Sequence, residues 1–229
     1  MRKLLQRWFA PAPRLTPQQA TRLAAWQALP EGDDTRCVVV DVETTGLNLM
    51  TDTLISIGAV AVTNGRIALG DSFYAVLQQR ESSRRENILV HGISGSVQRE
   101  GMEPTEALLD FLEFMGKSPL VAFHVTFDET MIRRALRQYL GLSFKHPWLD
   151  LAYVMPALYP PLAYSRRVLD DWIARFDIRL NARHNALADA LATAQLLQVA
   201  AAQARKKHLV GFTGLRNLER SQRHASGVS

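Results

Sequence analysis

The chain has a single cysteine, Cys37, in 229 residues. One thiol cannot form an internal disulfide, so a stapled secreted scaffold is excluded and a reducing cytoplasm is the simple expectation. Long apolar runs are also missing. The longest, Leu54–Val62, has nine residues, too few to cross a bilayer, and no membrane association is expected. The start MRKLLQRWFAPAPR is basic, but Gln6 and Arg7 interrupt its apolar run, so it does not make a secretory signal. No internal repeat is present. What remains is a chain with 47% apolar residues and a formal charge of +5, enough apolar material for one large core or for one domain with arms.

The charge is unevenly placed. Residues 1–36 carry six Lys/Arg against three Asp/Glu, and residues 205–229 carry six against one. The stretch between them is therefore net negative. Basic arms can attract a phosphate backbone without reading its sequence, or they can be solvated tails. The expected organisation is a basic N-terminal arm with one helix (1–35), a central domain (36–204) and a basic, partly disordered C-terminal tail (205–229). In the arm, Thr16-Pro17 is a helix start, and Leu23, Ala24, Trp26 and Leu29 give that helix an apolar side for the core or a partner.

Three short stretches hold the chemistry. In VVVDVETTGL, a β-branched run of buried-strand type ends at Asp41 and Glu43. Strand side chains alternate faces, so these two carboxylates point the same way, and the following TTG turn puts them at the strand's end. Two like charges so close repel unless a cation neutralises them; the alternative is a solvated strand end. In PLVAFHVTFDETMI, a short strand is followed by a helix whose expected capping box is Thr126 with Glu129. Asp128 then falls in the first turn, as a ligand or as an offset to the helix dipole. In ARHNALADALATAQLL, Asn185 is the expected N-cap of a long helix from about Ala186 to about Ala204. His184 lies just before it and Asp189 one turn inside. On a regular helix these two would diverge, so they converge only if His184 sits on the preceding loop.

Taken in order, Asp-x-Glu-Thr-x-Gly, then Phe-Asp after a strand, then His-x-x-x-x-Asp resembles the DEDDh branch of the DnaQ-like 3′–5′ exonucleases. The proofreading epsilon subunit of bacterial DNA polymerase III is one of that family. The resemblance covers roughly Arg36 to Ala204. Secondary cues are Val90-His91-Gly92-Ile93, Leu149-Asp150-Leu151 and Leu169-Asp170-Asp171-Trp172. One departure is Val125, where the family often has an Asn that contacts substrate.

The resemblance implies an α/β, RNase H-like mixed sheet flanked by helices. It implies that Asp41, Glu43, Asp128 and Asp189 hold two divalent cations, Mg²⁺ or Mn²⁺, and that His184 is the general base. Carboxylate oxygens suit such hard ions, and an imidazole suits proton transfer near neutrality. Thr44 and Leu47 are expected to contact the terminal nucleotide, with His91 a further substrate contact. The expected reaction releases nucleoside 5′-monophosphates from the 3′ end of single-stranded DNA, in proofreading or repair. The alternatives are an RNA 3′–5′ exonuclease, or a non-catalytic module that binds nucleic acid or a polymerase. A polymerase or other protein partner is compatible with either.

Within the core, Leu54–Thr63 and Arg66–Leu77 form a hairpin at Asn64-Gly65, Pro104 to about Met115 is helical, and Leu151–Leu158 and Leu169–Arg175 are shorter helices. Arg84, Arg85, Arg166 and Arg167 can guide a strand or decorate the surface. Arg133, Arg134 and Arg137 are expected on the solvated face of the Asp128 helix. Phe73, Tyr159 and Tyr164 can stack on bases or pack.

Overall fold

The computed structural model describes residues 13–163, 168–180 and 184–225. Five strands form one sheet in the order β3-β2-β1-β4-β5. They are β1 (Arg36–Thr44), β2 (Leu54–Thr63), β3 (Arg66–Val76), β4 (Leu120–Ala122) and β5 (Trp148–Asp150). β1, β2 and β3 pair antiparallel, whereas β1-β4 and β4-β5 pair parallel. The hairpin turns at Asn64 and Gly65, both with positive φ (52° and 72°), which matches the twist of the flanking strands.

The helices in chain order are α1 (Pro17–Gln27), α2 (Arg85–His91), α3 (Gly95–Arg99), α4 (Pro104–Met115), α5 (Val125–Leu140), α6 (Leu151–Leu158), α7 (Leu169–Arg175), α8 (Ala186–Arg205) and α9 (Gly211–Ala225). They cover both faces of the sheet. Val38, Val40 and Val42 of β1 face a core layer built with α1, α4 and α5. Val39 faces the opposite layer, built with α6, α7, α8 and α9. Strand alternation places Asp41 and Glu43 on that second face.

The arm helix α1 starts at Thr16 with a capping box to Gln19. It packs on α4 through Leu23 and Trp26, and Arg22 reaches Glu106, Asp110 and Glu113 at 2.6–2.7 Å. Leu29, by contrast, is exposed.

Several expectations are corrected. Residues 211–225 are not a loose tail. They form α9, with Leu215 and Glu219 buried against the core. α5 does not begin with a Thr126/Glu129 capping box. His124 is its N-cap, in the left-handed region at φ 67°, and Thr126 is already helical. Arg134 is not merely solvated, since it donates to the carbonyls of Leu49, Met50 and Asp52. Phe73 packs on Phe111 and Phe114, and Tyr159 on Trp172 and Phe176, so both rings are partly buried against the core. Cys37 is only half-buried, yet burial pushes its thiol up to about 12, leaving it a poor nucleophile. Tyr164, Arg166 and Arg167 lie outside the described residues. Among the described residues, no helix is long and apolar enough to cross a membrane.

Candidate active site

The carboxylates of Asp41, Glu43 and Asp189 converge, with one oxygen from each lying within 4.8 Å of the others. Two come from one strand and one from a helix, so a specific packing must bring them together. Gly58 of β2 provides it. Gly58 pairs with Asp41 across the β1-β2 ladder. A Cβ at Gly58 would lie 2.2 Å from the backbone of Ala186 and Leu187, far inside van der Waals contact. The first turn of α8 therefore rests directly on the sheet, a close approach that only glycine permits.

α8 is started by Asn185, whose side chain accepts from Ala188 N at 3.1 Å. His184 precedes it with φ 57°. Its backbone N–H donates to Asp189 Oδ2 at 2.9 Å, and the residue as a whole is exposed. His184 is thus on the loop, and its backbone orients a carboxylate of the trio.

Asp128 sits in the first turn of α5, buried. Burial pushes its carboxyl well above the ordinary carboxylate range. The neighbouring negative charges of Asp150 and Glu43 push the same way, against hydrogen bonds from the backbone of Asp128 and Val42. Asp128 is not among the carboxylates whose oxygens lie within 4.8 Å of one another. Three carboxylates crowded at one strand end repel one another, and all their donor atoms are hard oxygens. Both features fit divalent cations such as Mg²⁺ or Mn²⁺.

The turn after β1 is tightly held. Thr44 Oγ1 donates to Gly46 O at 2.7 Å, so its hydroxyl is already engaged. Asp52 accepts from Thr45 Oγ1 at 2.9 Å and from Asn48 N at 2.8 Å. Arg134 holds the far side of the same turn, and Asn87 of α2 donates to Thr45 O. Leu47 at its tip is 86% exposed, an apolar side chain with no core to enter.

His91 ends α2. It is buried, its Nε2 lies 3.2 Å from Ser83 Oγ, and its Nδ1 accepts from Ile93 N at 3.0 Å. Both ring nitrogens are engaged, with Ser83 before α2 and Ile93 after it. Arg84 and Arg85 are exposed at the start of α2. Val125 is buried and its backbone N–H donates to Asp150 Oδ2 at 3.2 Å.

Sequence reasoning gave no structural role to Gly58, Arg134, Asp150 or Arg223. Asp150, which ends β5, carried a weak signal as part of the Leu149-Asp150-Leu151 cue. The others make contacts too distant in sequence to be seen locally.

A mixed five-stranded sheet covered by helices, with acidic groups meeting at the end of its central strand, defines the RNase H-like class of nuclease folds. The RNase_T family model, described as Exonuclease, matches residues 38–197. The chain belongs to that exonuclease family, as a DnaQ-like 3′–5′ exonuclease domain. It is 31% identical over 183 residues to the PolC-type DNA polymerase III of Thermotoga petrophila. That match spans 80% of this chain and 13% of the polymerase. It is 34% identical over 161 residues to the PolC-type enzyme of Bacillus subtilis, spanning 70% of this chain and 11% of that one. The chain thus spans only a small part of these relatives. Among solved structures, E. coli exonuclease I in complex with a dT13 oligonucleotide superposes with a TM-score of 0.65 at 16% identity, over 76% of this chain and 42% of that one. Exonuclease X in complex with 5′ overhanging duplex DNA gives 0.57 at 18% identity, over 72% and 91%. At these identities the structural likeness speaks for the fold.

Proposed function

We propose that this chain hydrolyses the terminal phosphodiester bond at the 3′ end of single-stranded DNA, releasing nucleoside 5′-monophosphates. The observation that carries the reading is the convergence of Asp41, Glu43 and Asp189, with His184 tied to Asp189. DNA is favoured over RNA by the names of the relatives, which are DNA polymerases.

In this reading Asp41, Glu43, Asp128 and Asp189 hold two divalent ions, Mg²⁺ or Mn²⁺. When bound, these supply positive charge to the phosphoryl oxygens and favour ionisation of water. The exposed imidazole of His184 takes the proton from the water that attacks phosphorus. The P–O3′ bond breaks, and the departing 3′ oxygen is protonated on the shortened strand. Leu47 lies against the terminal base. Backbone groups around Thr44 hold the nucleotide, because the Thr44 hydroxyl is engaged with Gly46. The protein works in the cytoplasm, with a polymerase or another repair factor as a candidate partner.

The test uses 5′-labelled DNA and RNA strands of one sequence, each incubated with Mg²⁺ or Mn²⁺. Stepwise shortening of DNA from the 3′ end, with mononucleotide products and full inhibition by chelator, is expected. Faster RNA shortening would move the substrate to RNA. No shortening of either strand with either ion would leave the non-catalytic binding module as the reading.

A further inference from the structure

The helix α9 lies beyond residues 38–197, the stretch matched by the exonuclease family model. It nevertheless grips a residue next to the site. Asp150 is 2% exposed, and its carboxylate receives four donors. Oδ1 accepts from His124 N at 3.0 Å and from Ala152 N at 3.0 Å. Oδ2 accepts from Val125 N at 3.2 Å and from Arg223 Nη2 at 3.2 Å. Arg223 is braced in turn. Its Nε donates to Glu219 at 2.8 Å and its guanidinium lies 4.1 Å from the centre of the Tyr153 ring. Glu219 is itself buried one turn before Arg223 on α9, so the cation that meets Asp150 is held from its own helix.

His124 and Val125 are the residues at which α5 begins, and no side chain of their own segment caps them. The first amides of a helix need acceptors from elsewhere. Asp150 supplies them from across β4 and β5, and a buried carboxylate keeps its charge only when paired and hydrogen-bonded. Asp128 lies three residues further along the same turn. A shift of the α5 start therefore moves Asp128.

We infer that Arg223 is a positioning residue for the active site: through Asp150 it fixes the N-terminus of α5 and with it the carboxylate of Asp128. This makes α9 part of the catalytic domain, and its effect on turnover rests on the proposed function above. Arg223 need not touch substrate for this.

The test compares full-length wild type with Arg223→Met, Arg223→Lys and Asp150→Asn. Arg223→Met keeps much of the stem over Tyr153 but removes the charge. Three readouts are taken: hydrogen exchange of the His124 and Val125 amides, Mn²⁺ affinity by calorimetry, and kcat and KM on the p-nitrophenyl ester of thymidine 5′-monophosphate. That ester is too small to reach α9. In Arg223→Met, exchange at these two amides should quicken by about tenfold, the scale of one charge-assisted hydrogen bond. Mn²⁺ affinity should weaken, and kcat should fall by about tenfold with KM nearly unchanged, because the reacting groups are misplaced rather than the substrate released. Arg223→Lys should recover part of each loss. Adding Arg223→Met to Asp150→Asn should cost little more, since both act through one contact. Unchanged amide exchange, Mn²⁺ affinity and kcat in a folded Arg223→Met protein overturns the inference, as does an effect confined to long strands, which would make Arg223 a phosphate contact. If wild type hydrolyses nothing, the proposed function fails, and amide exchange still decides the positioning role.

Discussion

The backbone N–H of His184 donates to Asp189 Oδ2 at 2.9 Å, while His184 itself is exposed and left-handed. Its amide aims a carboxylate, and its exposed imidazole is the group to which the proposed function gives proton transfer.

These two roles set the first expected outcome. His184→Gly retains the amide and tolerates the positive φ, so divalent-ion affinity should stay near wild type while the rate falls by about 10²–10⁴. His184→Pro removes the N–H and cannot adopt this φ, so it should weaken ion binding as well. Calorimetry with Mn²⁺ and single-turnover hydrolysis distinguish the two. Equal ion affinity in both variants would disprove the amide's part.

The second concerns Gly58. A methyl group there meets the backbone of Ala186 and Leu187, which cannot rotate away. Gly58→Ala should destabilise the fold by about 1–3 kcal/mol, the usual cost of overpacking. It should also lower ion affinity, because the displaced segment carries Asp189. Urea denaturation and Mn²⁺ titration measure the two effects. A variant with wild-type stability would mean that α8 can slide on the sheet freely.

The third concerns Arg134. Arg134→Leu removes three hydrogen bonds to the turn that carries Leu47, but no member of the acidic cluster. KM for an oligonucleotide should rise while kcat changes much less. An equal fall in kcat would instead show that the turn also orders the carboxylates.

The fourth concerns pH. Burial pushes Asp128 above its ordinary range, so in the absence of ions the folded protein holds a proton that the unfolded chain releases. As pH rises from the unfolded carboxylate pKa to the raised folded one, the folded state binds more protons than the unfolded state, and this contribution to stability declines. Asp128→Asn removes the titration. In chelator, the melting temperature of Asp128→Asn should therefore gain on wild type as pH increases through that window. Saturating Mg²⁺ should shrink the gap by stabilising wild type. A gap that is constant with pH would show that Asp128 titrates alike in both states.

Much of the architecture was legible because its signals are local. The alternation of β1, the Asn64-Gly65 turn, the Asn185 cap and the extents of α4, α6 and α7 follow from periods and turn chemistry that neighbouring residues enforce. The ordered acidic motifs likewise pointed to one family before any geometry was known. The start of α5 was misread because Thr126 and Glu129 satisfy the capping-box pattern. The amides of His124 and Val125 instead find Asp150, 26 and 25 residues away. The burial of His91 was not legible for a related reason: its partners Ser83 and Ile93 turn a polar ring inward.

Sequence by itself determined the strand that bears Asp41 and Glu43 on one face, the helix that bears Asp189, and the set of groups able to meet a hard cation. Tertiary structure decided where they meet. Convergence depends on a glycine that lets α8 touch β2, while Arg134 clasps a turn more than 80 residues away and α9 folds back to pair Arg223 with Asp150. The division has a physical cause. Backbone periodicity acts over a few residues, whereas burial of charge and close packing act between segments that only the folded chain brings together.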